Sequence, residues 1–153
     1  MAEPVTDEFE AFWAANEPRL RHAFAAAYGP GRGADATAEA LAWAWEHWAR
    51  LRDMANPVGY LYRVGQSRTR RRKEPVLFPP VGAVGVPWVE PALPGALLTL
   101  TEHQRVAVVL AHAFGWTHRE VADLLGVSAS TVQNHVERGI AKLRDALEVN
   151  ADA

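Results

Sequence analysis

The fold of the C-terminal third is decided by the stretch "DLLGVSASTVQNHVERG", which runs from Asp123 to Gly139. Its apolar start ends at Gly126, a residue that can adopt the positive φ angle at which helices end and the chain turns. Ser128 or Ser130 can cap a following helix, because a hydroxyl oxygen accepts hydrogen bonds from first-turn backbone N–H groups. Two helices joined by so short a turn form a helix-turn-helix arrangement.

Two further helix starts lie upstream of this turn. Thr101 and Thr117 are each followed three residues later by Gln104 or Glu120, which is the spacing of the capping box. The apolar residues of the last helix recur at steps of three and four, as expected for one buried face. The helices predicted for this part of the chain are Glu102–Phe114, His118–Leu125 and Ala129–Leu147.

The N-terminal half also has helical periodicity. Apolar residues between positions 9 and 28 fall at three- and four-residue steps, with Pro18 either kinking this helix or beginning a second one. Asn56 and Pro57 have the N-cap and first-turn chemistry of a further helix, expected to reach about Lys73. No segment of this half alternates like a strand, so the sequence predicts an all-α protein. Between these helices lies a second set of residues at three- and four-residue steps, which is also predicted to be buried. Its members are Ala38, Leu41, Trp45 and Trp48.

A proline- and glycine-rich segment separates the two halves. It reads "PVLFPPVGAVGVPWVEPALPG" from Pro75 to Gly95, and prolines at this density remove backbone donors and disfavour helix. Its apolar side chains indicate that it either folds back over a domain or docks on a partner. The predicted organisation is two small helical domains, residues 1–74 and 96–153, joined by a linker at residues 75–95.

The composition excludes several classes of protein. The chain has 153 residues, a net charge of −2 and no cysteine, so disulfides and thiolate metal sites are excluded. No run approaches the roughly 20 apolar residues of a membrane span, and the acidic N-terminus is unlike a signal peptide. We therefore expect a soluble, cytoplasmic protein without membrane insertion. The sequence has no histidine cluster at metal-ligand spacing, nucleophile triad or phosphate loop, so we expect no metal, no cofactor and no enzymatic activity.

The exposed face of the last predicted helix has the chemistry to read DNA. Glutamine and asparagine can bond adenine edges, arginine can pair with guanine, and hydroxyls can reach phosphates or bases. The alternative is a plain helical hairpin with a solvated polar face. A chain of negative net charge binds duplex DNA weakly by itself, because phosphate attraction supplies most nonspecific affinity. The residues of this face are Ser130, Thr131, Gln133, Asn134, Glu137 and Arg138.

Residues Leu100–Leu147 resemble region four of the extracytoplasmic-function sigma factors of bacterial RNA polymerase. The resemblance rests on "LTEHQR", on "GWTHREVADLLGVS" and on "TVQNHVERGIAKLR". In the N-terminal half, "AWEHWARLRDMANPVGYLYRVGQS" from Ala44 to Ser67 resembles region two of the same family. The order of region two, linker and region four also agrees with that family.

The resemblance implies an alternative sigma factor that binds core RNA polymerase and directs promoter recognition and transcription initiation. The helix-turn-helix would read the −35 element, and the N-terminal domain would read the −10 element. Its implied partners are core RNA polymerase, promoter DNA and, where one exists, an anti-sigma factor.

The resemblance also implies site residues. Base contacts at −35 are expected from Ser130, Thr131, Gln133 and Asn134, with Arg138, His118 and Arg119 on phosphates. His135 is either a phosphate contact or a surface histidine. The loop Leu51–Asn56 corresponds to the segment that captures a flipped −10 base, a step that needs a pocket and contacts to single-stranded DNA. Residues expected to hold DNA there are Arg50, Arg52, Asn56, Arg68, Arg70, Arg71 and Arg72. Polymerase contacts are expected from Asp35, Glu39 and Trp43.

Some positions of the N-terminal half depart from the family. Ala38 stands where the family usually has glutamine, and Ser67 and Arg71 stand where it usually has asparagine and aspartate. The basic run Arg68–Lys73 is alternatively a solubilising helix end, favoured by the helix dipole. These departures support a second hypothesis, a sigma-like decoy or a helix-turn-helix regulator that no longer initiates transcription.

Overall fold

The computed structural model describes residues 4–69 and 92–151, and all regular structure within them is helical. The predicted all-α fold is therefore confirmed. None of the helices in these two ranges combines the length and the apolar character that crossing a bilayer requires. The helices are α1 Pro4–Tyr28, α2 Pro30–Glu46, α3 Trp48–Leu51, α4 Pro57–Thr69, α5 Leu93–Leu98, α6 Glu102–Val108 with a π-helical continuation Val109–Ala113, α7 His118–Leu125 and α8 Ala129–Ala151.

Helix α1 is continuous through Pro18, so no second helix begins there. It is followed at once by α2, because Gly29 takes a φ of 84° and turns the chain in a single residue. The two helices then pack closely. A Cβ atom added at Gly33 would lie 2.8 Å from the backbone nitrogen of Ala25, so only the smallest residue fits at this crossing.

The buried face predicted for α2 is wrong at two positions, because α1 and α2 cross so closely. Trp48 and part of Leu41 are buried as predicted, but Ala38 is exposed and Trp45 is 52% exposed. The prediction placed the largest apolar residues inward, whereas two helices joined by one residue lie too close to admit them. Small residues therefore form the buried face of α2, namely Gly33, Ala36, Thr37, Ala40 and Ala44.

The C-terminal half follows its local signals. Thr101 and Gln104 form a complete capping box at the start of α6. The Thr117 hydroxyl accepts a hydrogen bond from the Glu120 backbone N–H at 3.1 Å at the start of α7. Gly126 ends α7 with a φ of 70°, as predicted. The predicted helix Glu102–Phe114 changes to π-helical geometry at Val109, and the last helix extends four residues beyond Leu147.

The chain before α6 is only partly described. Helix α5 begins at Leu93, inside the range 75–95 assigned to the linker, and buries Ala96 and Leu97 in a small cluster with Leu143 of α8. Pro94 stands in its first turn, where the missing backbone N–H has no intrahelical partner to lose. Residues 70–91, with the rest of the predicted linker and the end of the first domain, lie outside the described residues.

One hydrophobic core runs through both halves of the chain. It joins Leu20 and Phe24 of α1 and Leu61 of α4 to Val106 of α6 and Val121 of α7. Helix α1 packs on α6 and its π-helical continuation, and α4 packs on α7. The N-terminal helices and the helix-turn-helix are thus in direct contact, a closed arrangement that the linear order of the predicted domains does not reveal.

Candidate nucleic-acid interface

Helices α7 and α8 form the predicted helix-turn-helix. Val121 and Leu124 of α7 and Val132 and Val136 of α8 are buried between them. Because these residues fix which side of α8 faces inward, they also fix which side faces solvent. The exposed side carries Ser130, Gln133, Asn134 and Arg138, with Thr131 half-buried at its edge.

Hydrogen bonds order the start of this face. Ser128, not Ser130, caps α8, since its hydroxyl accepts the Thr131 backbone N–H at 3.1 Å. The same hydroxyl lies 3.0 Å from the Ser130 hydroxyl and 2.8 Å from the Thr131 hydroxyl. Further along, the Gln133 amide donates to the Glu137 carboxylate at 3.1 Å. The start of α8 thus carries a cluster of three hydrogen-bonded hydroxyl groups.

The residues predicted to contact phosphates lie on both helices of the helix-turn-helix. His118 and Arg119 are exposed in the first turn of α7, and Arg138 is exposed three turns along α8. His135 is half-buried, with its ring centroid 5.5 Å from that of His103 on α6. Burial, followed by the charges of His103 and Arg138, lowers the pKa of His135 below its ordinary value, which favours a neutral ring.

A cation from the N-terminal half also lies at the turn, and sequence reasoning missed it. Arg63 of α4 is exposed, and its Nη1 atom lies 3.4 Å from the position of a Cβ atom built on Gly126. No local pattern in the sequence connects α4 with this turn, because the contact depends on how the two halves pack.

The described residues that were predicted at the −10 element contact other parts of the chain. The Arg52 guanidinium pairs with the Glu8 carboxylate at 2.9 Å, and the Arg50 guanidinium lies 5.8 Å from the centre of the Tyr60 ring. The Asn56 side chain donates to a backbone carbonyl of α7. Arg70, Arg71 and Arg72 lie outside the described residues.

One ion pair joins a residue of the predicted DNA site to a residue of the predicted polymerase site. Arg68, expected on DNA, contacts Glu39, expected on polymerase, with 2.7 Å between Nη1 and Oε2. Both side chains are about two-fifths exposed, at 46% and 40%, so the pair is weakly stabilising and easily exchanged for other partners.

The predicted polymerase residues lie along one surface of α2. Asp35, Ala38, Glu39 and Ala42 line an open groove there. Trp43 is half-buried, stacked on His47 with ring centroids 4.3 Å apart and packed on Tyr60 at 5.0 Å. The more exposed tryptophan is Trp45, whose ring meets that of Phe9 edge-on at 5.1 Å.

Comparison with known proteins agrees with this geometry. Residues 92–143, from the start of α5 into α8, match the family model described as sigma-70, region 4. The fold is similar to that of the sigma factor RpoE from Bartonella quintana, solved in complex with the anti-sigma factor NepR. The TM-score is 0.66 and the sequence identity 22%, over 93% of this chain and 98% of that one. No curated protein matches this sequence.

The predicted resemblance of the C-terminal third to sigma region four is confirmed by the family match, and the similarity to the solved sigma factor extends over the fold of both halves. The arginine of the "LTEHQR" motif in region four, Arg105, can now be placed in the fold. It is 7% exposed, and its guanidinium donates to the Ala27 carbonyl at 3.0 Å and the Leu100 carbonyl at 3.3 Å. Burial lowers the pKa of Arg105, and the charge of Glu102 opposes that change. The motif arginine therefore connects the region-four match to α1.

Two aromatic contacts also join α1 to the C-terminal half. The Arg19 guanidinium lies over the Trp116 ring, 4.6 Å from its centre, and pairs with the Glu120 carboxylate at 3.4 Å. The His22 ring stacks on that of Phe114 with centroids 4.1 Å apart. The "GWT" segment thus lies against α1, while the polar face of α8 stays exposed.

Proposed function

We propose that this protein is an alternative sigma factor that binds core RNA polymerase and directs transcription initiation at specific promoters. The observation that supports this most is the helix-turn-helix of α7 and α8, which has a polar, exposed face on its second helix and lies within the region-four match up to residue 143. In this proposal, Ser130, Thr131, Gln133 and Asn134 read the −35 element. Arg138, His118 and Arg119 hold the adjacent phosphates.

The charge balance suits a factor that works only on polymerase. Residues 96–153 carry five basic and seven acidic side chains. Because each phosphate contact adds affinity by releasing counterions, such a domain binds duplex DNA weakly alone. Joined to polymerase it needs only to specify the sequence, since the assembly supplies affinity and raises its effective concentration at the promoter.

We assign polymerase contact to the exposed surface of α2, with Asp35, Glu39 and Trp43 as its members. Trp45 extends this surface, since it is the large apolar side chain that α2 exposes most. Tryptophan is enriched at protein interfaces and among the residues that contribute most binding energy there. The −10 element is assigned to the loop Leu51–Asn56 with the arginines of α3 and α4. The site of action would be the cytoplasm.

An anti-sigma factor is a further proposed partner. It is suggested by the structural relative, which was solved with such a factor bound. The anti-sigma factor would then compete with polymerase and DNA for the same surfaces.

The test is a pull-down of core RNA polymerase at low salt, followed by transcription of a genomic DNA library and mapping of the starts. We expect a stable complex and a discrete set of starts that share a −35 sequence. Absence of binding to core polymerase at low salt would contradict the proposal.

The second candidate is a sigma-like decoy or helix-turn-helix regulator. It is favoured by Ala38, which lies exposed in the α2 groove where the family usually has glutamine. Because the position is open to solvent, an Ala38→Gln variant can fold unchanged. A large gain of polymerase affinity in that variant would support the decoy, whereas no change would count against it. Ala42→Gln, on the same surface, is the matched control.

A further inference from the structure

A cavity of about 210 Å³ lies between α1, α5 and α6. Protein sites for small molecules commonly combine an apolar wall with a few polar groups that orient the ligand. A volume of about 150 Å³ already admits a benzene-sized molecule, so this cavity has room for a small organic compound. Among the described residues its lining has one charged side chain, Arg105, and six apolar residues, namely Ala25, Ala26, Pro30, Leu97, Val109 and Phe114.

The guanidinium of Arg105 has more donors than its described partners use. It carries five N–H groups, of which the Ala27 and Leu100 carbonyls accept two. Its Nε–H is shielded from water and has no hydrogen-bond partner among the described residues. Leaving a buried donor unsatisfied is costly, and more so when the group is charged. An acceptor bound in the cavity beside Arg105 would remove this cost.

The charge of Arg105 favours an anionic acceptor. The side chain is 7% exposed, and burial lowers the pKa of Arg105, with the charge of Glu102 opposing that change. A lowered pKa means that the folded chain solvates this cation less well than water does. An anion in contact with the guanidinium would restore the lost stabilisation, because charge-assisted hydrogen bonds are stronger than neutral ones.

The backbone also departs from ordinary helical geometry beside this cavity. Val109, one of the lining residues, begins the π-helical segment Val109–Ala113, and π-helical turns are frequent at functional sites. Phe114 follows this segment directly. It is 42% exposed, and its ring stacks on that of His22 with centroids 4.1 Å apart. Because Phe114 both lines the cavity and faces solvent, a ligand can enter beside it.

We propose that this cavity binds a small monocarboxylate with an apolar body, such as an aromatic acid or a short-chain fatty acid, through Arg105. One negative charge matches one guanidinium, whose planar fork suits a carboxylate. The rest of the ligand buries apolar surface against the six apolar lining residues. A phosphate group fits less well, because an apolar wall cannot replace the solvation that its higher charge would lose. The site is a property of the free chain and does not depend on the proposed function.

The first arm of the test titrates the full-length protein with benzoate and hexanoate, and with benzyl alcohol as a neutral compound of similar size. Isothermal titration calorimetry measures the affinities. We expect saturable binding of at least one acid, and benzoate about tenfold or more tighter than benzyl alcohol, because hydrogen bonds to charged groups are the stronger ones. Absence of saturable binding of both acids at millimolar concentration would overturn the site. Equal affinities for benzoate and benzyl alcohol would overturn its assignment to carboxylates.

The second arm places the ligand in the cavity. Ala25→Leu extends a lining residue into a space of about 210 Å³, and leucine is a good helix former. We expect this variant to keep its helix content by circular dichroism and its melting temperature, while its affinity for the acid that binds the wild type falls at least about tenfold as the ligand loses its space. Ala141→Leu, at an exposed position of α8, should bind like the wild type. Unchanged affinity in Ala25→Leu would mean that the acid binds elsewhere, which would overturn the site.

The third arm tests the guanidinium itself. A ligand that binds the folded chain raises its melting temperature as the ligand concentration rises, so benzoate should stabilise the wild type. Arg105→Gln keeps an amide donor but loses the charge, and we expect it to lose most of this benzoate shift whatever its own melting temperature. Arg144→Gln, at an exposed position of α8, should keep the shift. A benzoate shift of wild-type size in Arg105→Gln would overturn the role of Arg105. The first two arms test the site without altering this arginine.

Discussion

His135 is the residue of α8 whose pKa is clearly shifted by its surroundings. Burial, with the charges of His103 and Arg138, lowers its pKa below the ordinary value of 6.5. As pH falls through about 6.5, the unfolded chain takes up this proton while the folded chain resists it, so the free energy of unfolding falls with pH. The pKa of His22 is lowered as well, mainly by burial, and contributes with the same sign.

We therefore predict that folding stability decreases between about pH 7 and pH 5.5, and that a His135→Gln variant shows a shallower decrease. Urea unfolding at several pH values measures the slope, and NMR titration of the histidine rings identifies the group. A His135 ring that titrates at or above 6.5 would refute the prediction. His112→Gln, at an exposed position outside the α8 contact, is the control.

Asn134 tests base reading by a single side chain. It is exposed on the same face as Gln133, and an asparagine that bonds adenine through two groups contributes about 1–3 kcal/mol of discrimination. We predict that Asn134→Ala reduces the preference for the mapped promoter over a copy with an altered −35 element by about 5- to 150-fold. In vitro transcription measures this ratio. Asp145→Ala, exposed near the end of α8, should keep it.

At the level of helices, Gly139 allows α8 to cross α6 closely. A Cβ atom added there would lie 2.6 Å from the Val108 Cγ2 atom and 3.2 Å from the Leu100 Cδ2 atom. Overpacking of this kind costs about 1–3 kcal/mol, more than the gain of up to about 1 kcal/mol from replacing a helical glycine by alanine.

Gly139→Ala is therefore expected to lower the free energy of unfolding, although it improves helix propensity. Gly31→Ala in α2 is the matched control, since its Cβ position is open and the variant should gain up to about 1 kcal/mol. Chemical denaturation compares the two. Equal gains in both variants would mean that α8 and α6 are not held at this distance.

Arg105 connects α6 to α1 through carbonyl acceptors at 3.0 and 3.3 Å. A lysine has one compact donor group and cannot reproduce the planar fork of arginine. We predict that Arg105→Lys lowers the free energy of unfolding by about 2 kcal/mol, the size of one hydrogen bond to a charged group. Arg144→Lys, at an exposed position of α8, should change it little. If the Arg105→Lys variant had the same free energy of unfolding as the wild type, packing alone would join the two helices.

The whole molecule shares one core between its halves, because Leu20 and Phe24 belong to the same cluster as Val106 and Val121. Elements that bury the same apolar surface lose it together, so unfolding should be cooperative. We predict a single calorimetric transition with equal calorimetric and van't Hoff enthalpies. Two resolved transitions would mean that the halves unfold independently and that their contact adds little stability.

Local signals in the sequence determined most of the helix boundaries. Thr101, Thr117 and Gly126 act on backbone groups within four residues, so their caps and turn follow from adjacent side chains alone. The same is true of Asn56 and Pro57 at the start of α4. Because these effects are local, the helix-turn-helix and its exposed polar face were predictable without any knowledge of packing.

Only the tertiary structure decided which helices meet and which side of α2 is buried. Trp45 was predicted inside by periodicity, yet the single-residue turn at Gly29 brings α1 so close that only small residues fit. The bonds of Asn56 to Asp123 and of Arg105 to Ala27 join residues 67 and 78 positions apart. Short-range patterns carry no information on such pairs, because they form only when the shared core draws both halves together. The sequence therefore determined a helix-turn-helix with an exposed polar face, and the packing of the halves decided that they share one core.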